Sequence, residues 1–193
     1  MKKTNKNVDA NIQKILDENN QGIKLDLGCG ENKNEGFVGI DNRKLKGIDI
    51  VHDLEDFPFP LPDRCASLAV ASHVVEHINP HKGVFIEFMN EVWRMLMKNG
   101  EFMIAAPMAG TSRFYQDPTH INGCNEMTWD YFDPVGGFTG GQLYNIYRPL
   151  PWKIKYHTWN ESGDLEVALI KREIDKSYNV DSEHLKRLDK KNK

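Results

Sequence analysis

The sequence predicts an α/β fold: an open, mostly parallel sheet with helices on both faces, finished by an antiparallel hairpin. Three observations carry that expectation. Residues 67–72 (SLAVAS) and 102–106 (FMIAA) are short, continuous runs of small or apolar residues, the pattern of strands buried on both faces. Residues 23–41 read as strand, glycine turn, strand, with the acid Asp41 at the end of the second strand. Residues 152–158 and 165–169 alternate in character around Glu161-Ser162-Gly163-Asp164, as the arms of a hairpin do.

In chain order, Val8, Ile12, Ile15 and Leu16 fall at helical spacing, so residues 7–19 form an amphipathic helix stopped by Asn19-Asn20-Gln21-Gly22. Strand one covers 23–27, carries Asp26 and breaks at Gly28-Cys29-Gly30. Only ten residues separate Leu27 from Val38, fewer than a helical crossover needs, and residues 31–35 are polar. A loop or single turn therefore leads into strand two, residues 37–41. Residues 48–51 form a short third strand that ends at His52-Asp53-Leu54-Glu55. Pro58, Pro60 and Pro62 make the next segment a stiff loop whose aromatics, Phe57 and Phe59, must pack on something.

Strand four is 67–72. Asn79-Pro80 suits a helix start. Phe85, Phe88, Met89, Val92, Trp93, Leu96 and Met97 form one helical stripe, stopped by Asn99-Gly100. Residues 102–106 are strand five, closed by Pro107. Residues 108–150 have no clear period, apart from a turn or two of helix at 127–132, and hold six glycines and several aromatics. A loop region of that length in a compact domain is usually functional. Beyond Arg172 the chain turns polar, an exposed helix or disorder. The expected organisation is an N-terminal helix (1–22), one domain (23–172) containing a substrate-region insert (108–150), and a polar tail (173–193).

Hydrophobic content of 39% and charged content of 27% over 193 residues give one globular core. A net charge of −3 gives no electrostatic case for a nucleic-acid partner. The basic clusters, Lys2, Lys3 and Lys6 and then Lys186, Arg187, Lys190, Lys191 and Lys193, sit at the ends, where solvated tails are expected. No apolar run reaches the length of a membrane span and no signal-peptide h-region is present. Cys29, Cys65 and Cys124 are odd in number and far apart, which fits free thiols in a reducing, cytoplasmic setting.

In open α/β sheets ligands bind beyond the carboxyl ends of the strands. Gly28 to Gly30, Asp41, Asp53, Ser72-His73 and Pro107 all fall at such ends, so the marked residues share one rim. An acid after strand two can accept hydrogen bonds from both hydroxyls of a ribose. The glycine fingerprint of dinucleotide sites is incomplete, because Lys33 stands where the third glycine belongs.

In this order LDLGCG, GID, HDLEDFPFPLPD, ASHVVEHI and FMNEVWRMLMKNGEFMIAAP, over about residues 23–172, resemble the class I (Rossmann-like) S-adenosylmethionine-dependent methyltransferases. Within them the chain is similar to a subgroup of small enzymes carrying HDLE, SHVxEHI, QDPTH and YFDP. The resemblance implies S-adenosylmethionine as cofactor and no metal. It implies Asp26, Gly28, Cys29 and Gly30 facing the methionine part, with Asp41 and its neighbour Asn42 at the ribose. Asp53 would take the adenine amino group, with the Leu54 amide facing the ring, and Ser72 and His73 would close the methionine side. The near-neutral charge and the compact insert favour an oxygen or nitrogen acceptor on a small molecule or a sugar over a duplex; a protein side chain stays open. His120, in Gln116-Asp117-Pro118-Thr119-His120, is the candidate base, with Asp117 to orient it. Tyr115, Trp129 and Tyr131 are candidate walls of the acceptor pocket. Tying the loop to the core is the competing role for His120, and plain packing for the three aromatics.

Other readings fit less well. His73-Val74-Val75-Glu76-His77 spells the inverted zinc-hydrolase motif, which needs both histidines on one face of a stable helix. Here the first histidine follows a buried strand directly and Pro80 comes soon after the second. A nicotinamide dehydrogenase would want the third glycine and a full first helix. A cofactor-binding regulatory or assembly protein without chemistry on the same fold is the alternative from a different class.

Overall fold

A computed structural model describes residues 6–19 and 21–191. Lys2, Lys3, Asn20 and Lys193, which entered the expectations above, lie outside the described residues. Seven strands form one sheet: β1 (Ile23–Leu27), β2 (Val38–Asp41), β3 (Ile50–Val51), β4 (Ala66–Ser72), β5 (Leu96–Pro107), β6 (Trp152–Trp159) and β7 (Asp164–Lys171). Their order is β3-β2-β1-β4-β5-β7-β6. The first five strands run parallel, and β7 pairs antiparallel with both β5 and β6. The fold is therefore the mostly parallel α/β sheet with an antiparallel C-terminal pair that the apolar runs and the hairpin pattern predict.

The chain runs outward from β1 to β2 and β3, then returns to place β4 on the other side of β1. This reversal opens a crevice above the carboxyl ends of β1 and β4. Leu25, Leu27, Ile40, Ala69, Ala71, Phe102 and Ile104 are buried, which is why the central strands read as apolar runs.

The one long helix between parallel strands is α2 (Val84–Met95); the crossovers from β1 to β4 are made by loops. The proline loop replaces a helix by fixing itself to α2. Its Phe59 is buried, with its ring centroid 5.8 Å from Phe57 and 6.3 Å from Phe88. Arg94 of α2, with only 3% of its side chain exposed, donates to Glu91, to Asp63 Oδ1 (2.8 Å) and to the carbonyl oxygens of Leu61 (2.8 Å) and Phe59 (3.3 Å). Glu91 in turn accepts the Phe59 amide at 2.9 Å.

Both ends of the long helix differ from expectation. Asn79-Pro80 leads into a 3-10 turn, His81–Gly83, in which Lys82 (φ 55°) and Gly83 (φ 76°) are left-handed, and α2 starts after it. Leu96 and Met97 continue the apolar stripe but belong to β5. Leu96 pairs with Ala66, and the ladder shifts register before Leu68 pairs with Glu101. The N-terminal helix, α1 (Lys6–Asp17), packs through Ile12, Ile15 and Leu16.

The insert contains α3 (Ser112–Tyr115), a 3-10 segment (Glu126–Tyr131) and α4 (Tyr144–Tyr147). Two buried acids organise it. Asp130 accepts the amides of Phe138 and Thr139, and Asp133 accepts those of Val135, Gly136 and Ile154 together with Arg172 Nη2. The polar tail ends in α5 (Ser182–Lys191), whose Leu185 and Leu188 reach the core. Among the described residues no helix is long and apolar enough to cross a membrane.

Candidate functional site

A cleft of about 460 Å³ lies over the reversal point. Its walls are Asp41, Asn42 and Arg43 after β2, Asp53, Leu54 and Glu55 after β3, and His73, Val74, His77 and Ile78 after β4. Gly28, at the end of β1, forms its base. Gly28 has φ 65°, and a Cβ there would stand 2.6 Å from Val74 Cγ2, so both conformation and space require glycine.

Asp41 is buried and its carboxylate is well supplied. Oδ2 accepts the Gly30 amide at 2.9 Å, and Oδ1 accepts the Arg43 amide at 2.9 Å and Arg43 Nε at 3.1 Å. Burial works to raise its pKa, but these hydrogen bonds and the guanidinium charge outweigh it and hold the carboxyl below its usual value. A carboxylate has about four acceptor positions, so at least one remains on Oδ2. The Arg43 side chain, which takes one position on Oδ1, is 64% exposed. Asp53 Oδ1 accepts the Glu55 amide at 3.0 Å, and Glu55 Oε1 accepts the Asn79 amide at 2.7 Å, tying the second wall to the third.

Of the cofactor residues expected from sequence, Gly28, Asp41, Asn42, Asp53, Leu54 and His73 line the cleft. Asp26 is buried beneath it, where Oδ2 accepts both the amide and the side-chain nitrogen of Asn34 at 2.8 Å, which folds the short loop back onto β1. Cys29 turns its Sγ toward Gly39, and burial, with the charges of Asp26 and Asp41, pushes its thiol up to about 11. The Gly30 amide is committed to Asp41. Ser72 is exposed at the end of β4, next to His73, a left-handed residue (φ 54°) whose amide donates to the Ala105 carbonyl at 2.8 Å.

Behind the third wall, the insert docks on the segment after β4. The amides of Ile121 and Asn122 both donate to the Glu76 carbonyl at 2.9 Å, and Asn122 Nδ2 donates to the Val75 carbonyl at 2.9 Å. This clamp sets His120 beside His77, with ring centroids 4.8 Å apart. His120 Nδ1 lies 2.8 Å from the Phe114 carbonyl, so Nδ1 is the donor and Nε2 is the acceptor nitrogen of the neutral ring. Nε2 lies 3.9 Å from both Glu76 Oε1 and Asp117 Oδ2.

Asp117 therefore does not orient His120 by a hydrogen bond, as the sequence suggested. Its Oδ1 is taken by the Thr119 hydroxyl at 2.7 Å and the Thr119 amide at 2.8 Å, which hold its carboxyl below the usual range. The Phe114 carbonyl does the orienting. Glu76 has no exposed surface, and neither of its carboxylate oxygens has a hydrogen-bond partner. Burial pushes its pKa up, against the pull of His73, His77 and His120. Sequence reasoning carried Glu76 and His77 within the SHVxEHI stretch of the resemblance, and gave Glu76 a chemical role only in the zinc-hydrolase alternative. The H-x-x-E-H spelling was their signal, although residues 75–77 form a single 3-10 turn rather than the helix that alternative needs.

The three aromatics expected at an acceptor pocket are not brought together. Tyr115 is exposed, its ring edge-on to Phe114 at 5.4 Å. Trp129 is fully buried and packs edge-on to Phe85 at 6.5 Å, which is the packing role. Tyr131 pairs with Tyr147 at 5.5 Å and lines a separate cavity of about 580 Å³ with Phe85, Ile86 and Phe132.

No family model matches the chain, and no curated protein matches it. Solved structures do. A SAM-dependent methyltransferase from Archaeoglobus fulgidus superposes with a TM-score of 0.55 at 19% identity, over 86% of this chain and 94% of that one. The 1,6-didemethyltoxoflavin-N1-methyltransferase of Burkholderia thailandensis, solved with 1,6-didemethyltoxoflavin and S-adenosylhomocysteine, gives 0.54 at 12% identity, over 86% and 77%. A SAM-dependent methyltransferase from Aquifex aeolicus gives 0.50 at 15%, over 83% and 89%. The fold is the Rossmann-like methyltransferase fold. On this methyltransferase fold the cleft occupies the crevice at the strand reversal, where α/β sheets take their ligands.

Proposed function

We propose that the protein is an S-adenosylmethionine-dependent methyltransferase that binds its cofactor in the cleft above β1 and β4. The observation that carries the reading is Asp41. It is a buried, ionised carboxylate at the end of β2, held by Gly30 and Arg43 at the mouth of a cleft whose base admits only glycine. Its free acceptor position suits ribose hydroxyls, Asp53 and the Leu54 amide suit the adenine, and Gly28 with His73 suits the methionine end. The fold it shares with a Burkholderia enzyme that binds S-adenosylhomocysteine supports the same choice.

The sulfonium supplies an electrophilic methyl group. The protein's share is to hold the acceptor in line with it and keep water out. The His73–His77 wall is the side on which an acceptor would meet the cleft, with the insert behind it. An oxygen or nitrogen on a small molecule or a sugar fits that enclosed corner and the net charge of −3 better than a nucleic acid does. Three free thiols agree with a cytoplasmic setting.

Calorimetric titration with S-adenosylmethionine, S-adenosylhomocysteine and NAD tests the reading. Micromolar binding of the first two without NAD supports it; binding of none, or of NAD alone, overturns it.

A further inference from the structure

The geometry points to a second ligand site, a divalent transition-metal site formed by Glu76, His77 and His120 just behind the cleft wall. One carboxylate oxygen of Glu76 and one ring nitrogen of each histidine lie within 4.8 Å of one another. A tetrahedral shell with metal–ligand bonds of about 2.1 Å separates its ligands by roughly 3.4 Å. Small side-chain rotations close that difference.

Two independent features say that this cluster is built for a cation. The first is Glu76 itself. It is completely buried, and both carboxylate oxygens lack a hydrogen-bond partner, although they lie in a setting where burying an unpaired charge costs several kcal/mol. Three imidazoles surround it: His120 Nε2 at 3.9 Å, His73 Nδ1 at 3.4 Å without hydrogen-bond geometry, and His77 next in sequence. A cation inside this ring would satisfy the carboxylate.

The second feature is how the histidines are held. His120 Nδ1 faces the Phe114 carbonyl at 2.8 Å. His77 Nδ1 faces the Thr119 carbonyl at 3.3 Å and the Thr119 hydroxyl at 3.1 Å, and that hydroxyl gives its own proton to Asp117. Both rings thus face oxygen acceptors through Nδ1, so in the neutral ring Nε2 is the nitrogen left to face a metal, the outer-shell arrangement of metal-ligating histidines. The amides of Ile121 and Asn122, fixed to the Glu76 carbonyl, lock the two halves of the site together across the insert.

Two imidazoles and one carboxylate suit Mn²⁺, Fe²⁺, Co²⁺ or Zn²⁺ rather than Ca²⁺. Three protein ligands leave coordination positions for water or another oxygen donor. His77 also lines the cleft, so that donor can be an oxygen of the methyl acceptor, a step that rests on the proposed methyl transfer. In this arrangement His120 is a ligand and not a free base.

The test is Co²⁺ titration of the chelator-stripped full chain, followed by calorimetry and visible absorption. One equivalent should bind with micromolar or tighter affinity. Glu76→Gln and His120→Gln should each weaken it at least tenfold, and His81→Gln should not. Absence of saturable binding overturns the proposal, as does binding unchanged in both site variants. A readout without substitutions guards against misfolded variants. Substoichiometric Mn²⁺ should broaden the ring-proton resonances of His77 and His120 before those of His52 and His157, and the reverse order overturns the site. S-adenosylhomocysteine titrated alongside Co²⁺ separates the two readings. Cofactor binding by a chain that shows no saturable Co²⁺ binding removes the metal site and leaves the methyltransferase; Co²⁺ binding without cofactor binding does the opposite.

Discussion

His120 Nε2 stands 3.9 Å from Glu76 Oε1, across the junction between the insert and the segment that follows β4. That approach is held by the two amides that Ile121 and Asn122 give to the Glu76 carbonyl and by Asn122 Nδ2 on the Val75 carbonyl. The insert therefore abuts the cleft, and the cleft and the histidine cluster share one wall.

Asp41 is the first residue to test. Asp41→Ala should weaken S-adenosylhomocysteine binding by about 1.5–3 kcal/mol, the range for hydrogen bonds to a charged group. Arg43→Ala should leave affinity unchanged or raise it, because the guanidinium competes for Oδ1. Calorimetry reads both. Unchanged affinity in the Asp41 variant removes the ribose assignment.

Gly28→Ala combines a left-handed backbone with a clash on Val74. A loss of about 1–3 kcal/mol in stability, together with weaker cofactor binding, is expected. Adding Val74→Ala should recover the part due to the clash and leave the backbone part. Thermal melts of the single and double variants measure the split; no recovery means that the backbone alone sets the cost.

Arg94 tests the proline loop. Arg94→Ala leaves Glu91 buried without its guanidinium and frees the loop carbonyls of Leu61 and Phe59. Breaking such a buried pair costs about 3–5 kcal/mol. Urea unfolding checks this, and a change below 1 kcal/mol would mean that the loop is held by its aromatics.

Lys171 gives the pH dependence. Its side chain is buried, with Nζ 2.7 Å from the Leu96 carbonyl and over the Trp93 ring, and burial lowers its pKa to about 8 from 10.5. Between those values the unfolded chain binds more protons, so this group's contribution to stability rises with pH from 8 to 10.5. Below pH 8 the charged form is a burden of about 3 kcal/mol, at roughly 1.4 kcal/mol per pKa unit. The stability difference between the native chain and Lys171→Met should favour the variant most below pH 8 and shrink toward pH 10. A difference flat across that range contradicts the shift.

Much of the fold was legible because buried strands and hairpin arms leave local patterns. The short loop after Gly30 was readable from its length, and the rim from the fact that strand ends fall together. The start of α2 was hidden, since a left-handed Lys82-Gly83 pair leaves no mark on the apolar stripe. Leu96 and Met97 kept helical spacing while pairing in a sheet, a choice made by Ala66 across the ladder. At the site, Asp117 stood three residues from His120 and read as its partner, but Thr119 is nearer and takes its carboxylate. Trp129 looked available because burial by Phe85 is a tertiary fact. Glu76 and His77 were visible only as a motif whose usual helix is absent here.

The most direct measurement is a crystal structure of the protein with S-adenosylhomocysteine. The ligand should lie in the cleft above β1 and β4, its ribose hydroxyls within hydrogen-bond distance of the Asp41 carboxylate and its adenine beside Asp53 and Leu54. A ligand bound elsewhere, or seated in the cleft with its ribose away from Asp41, contradicts that placement.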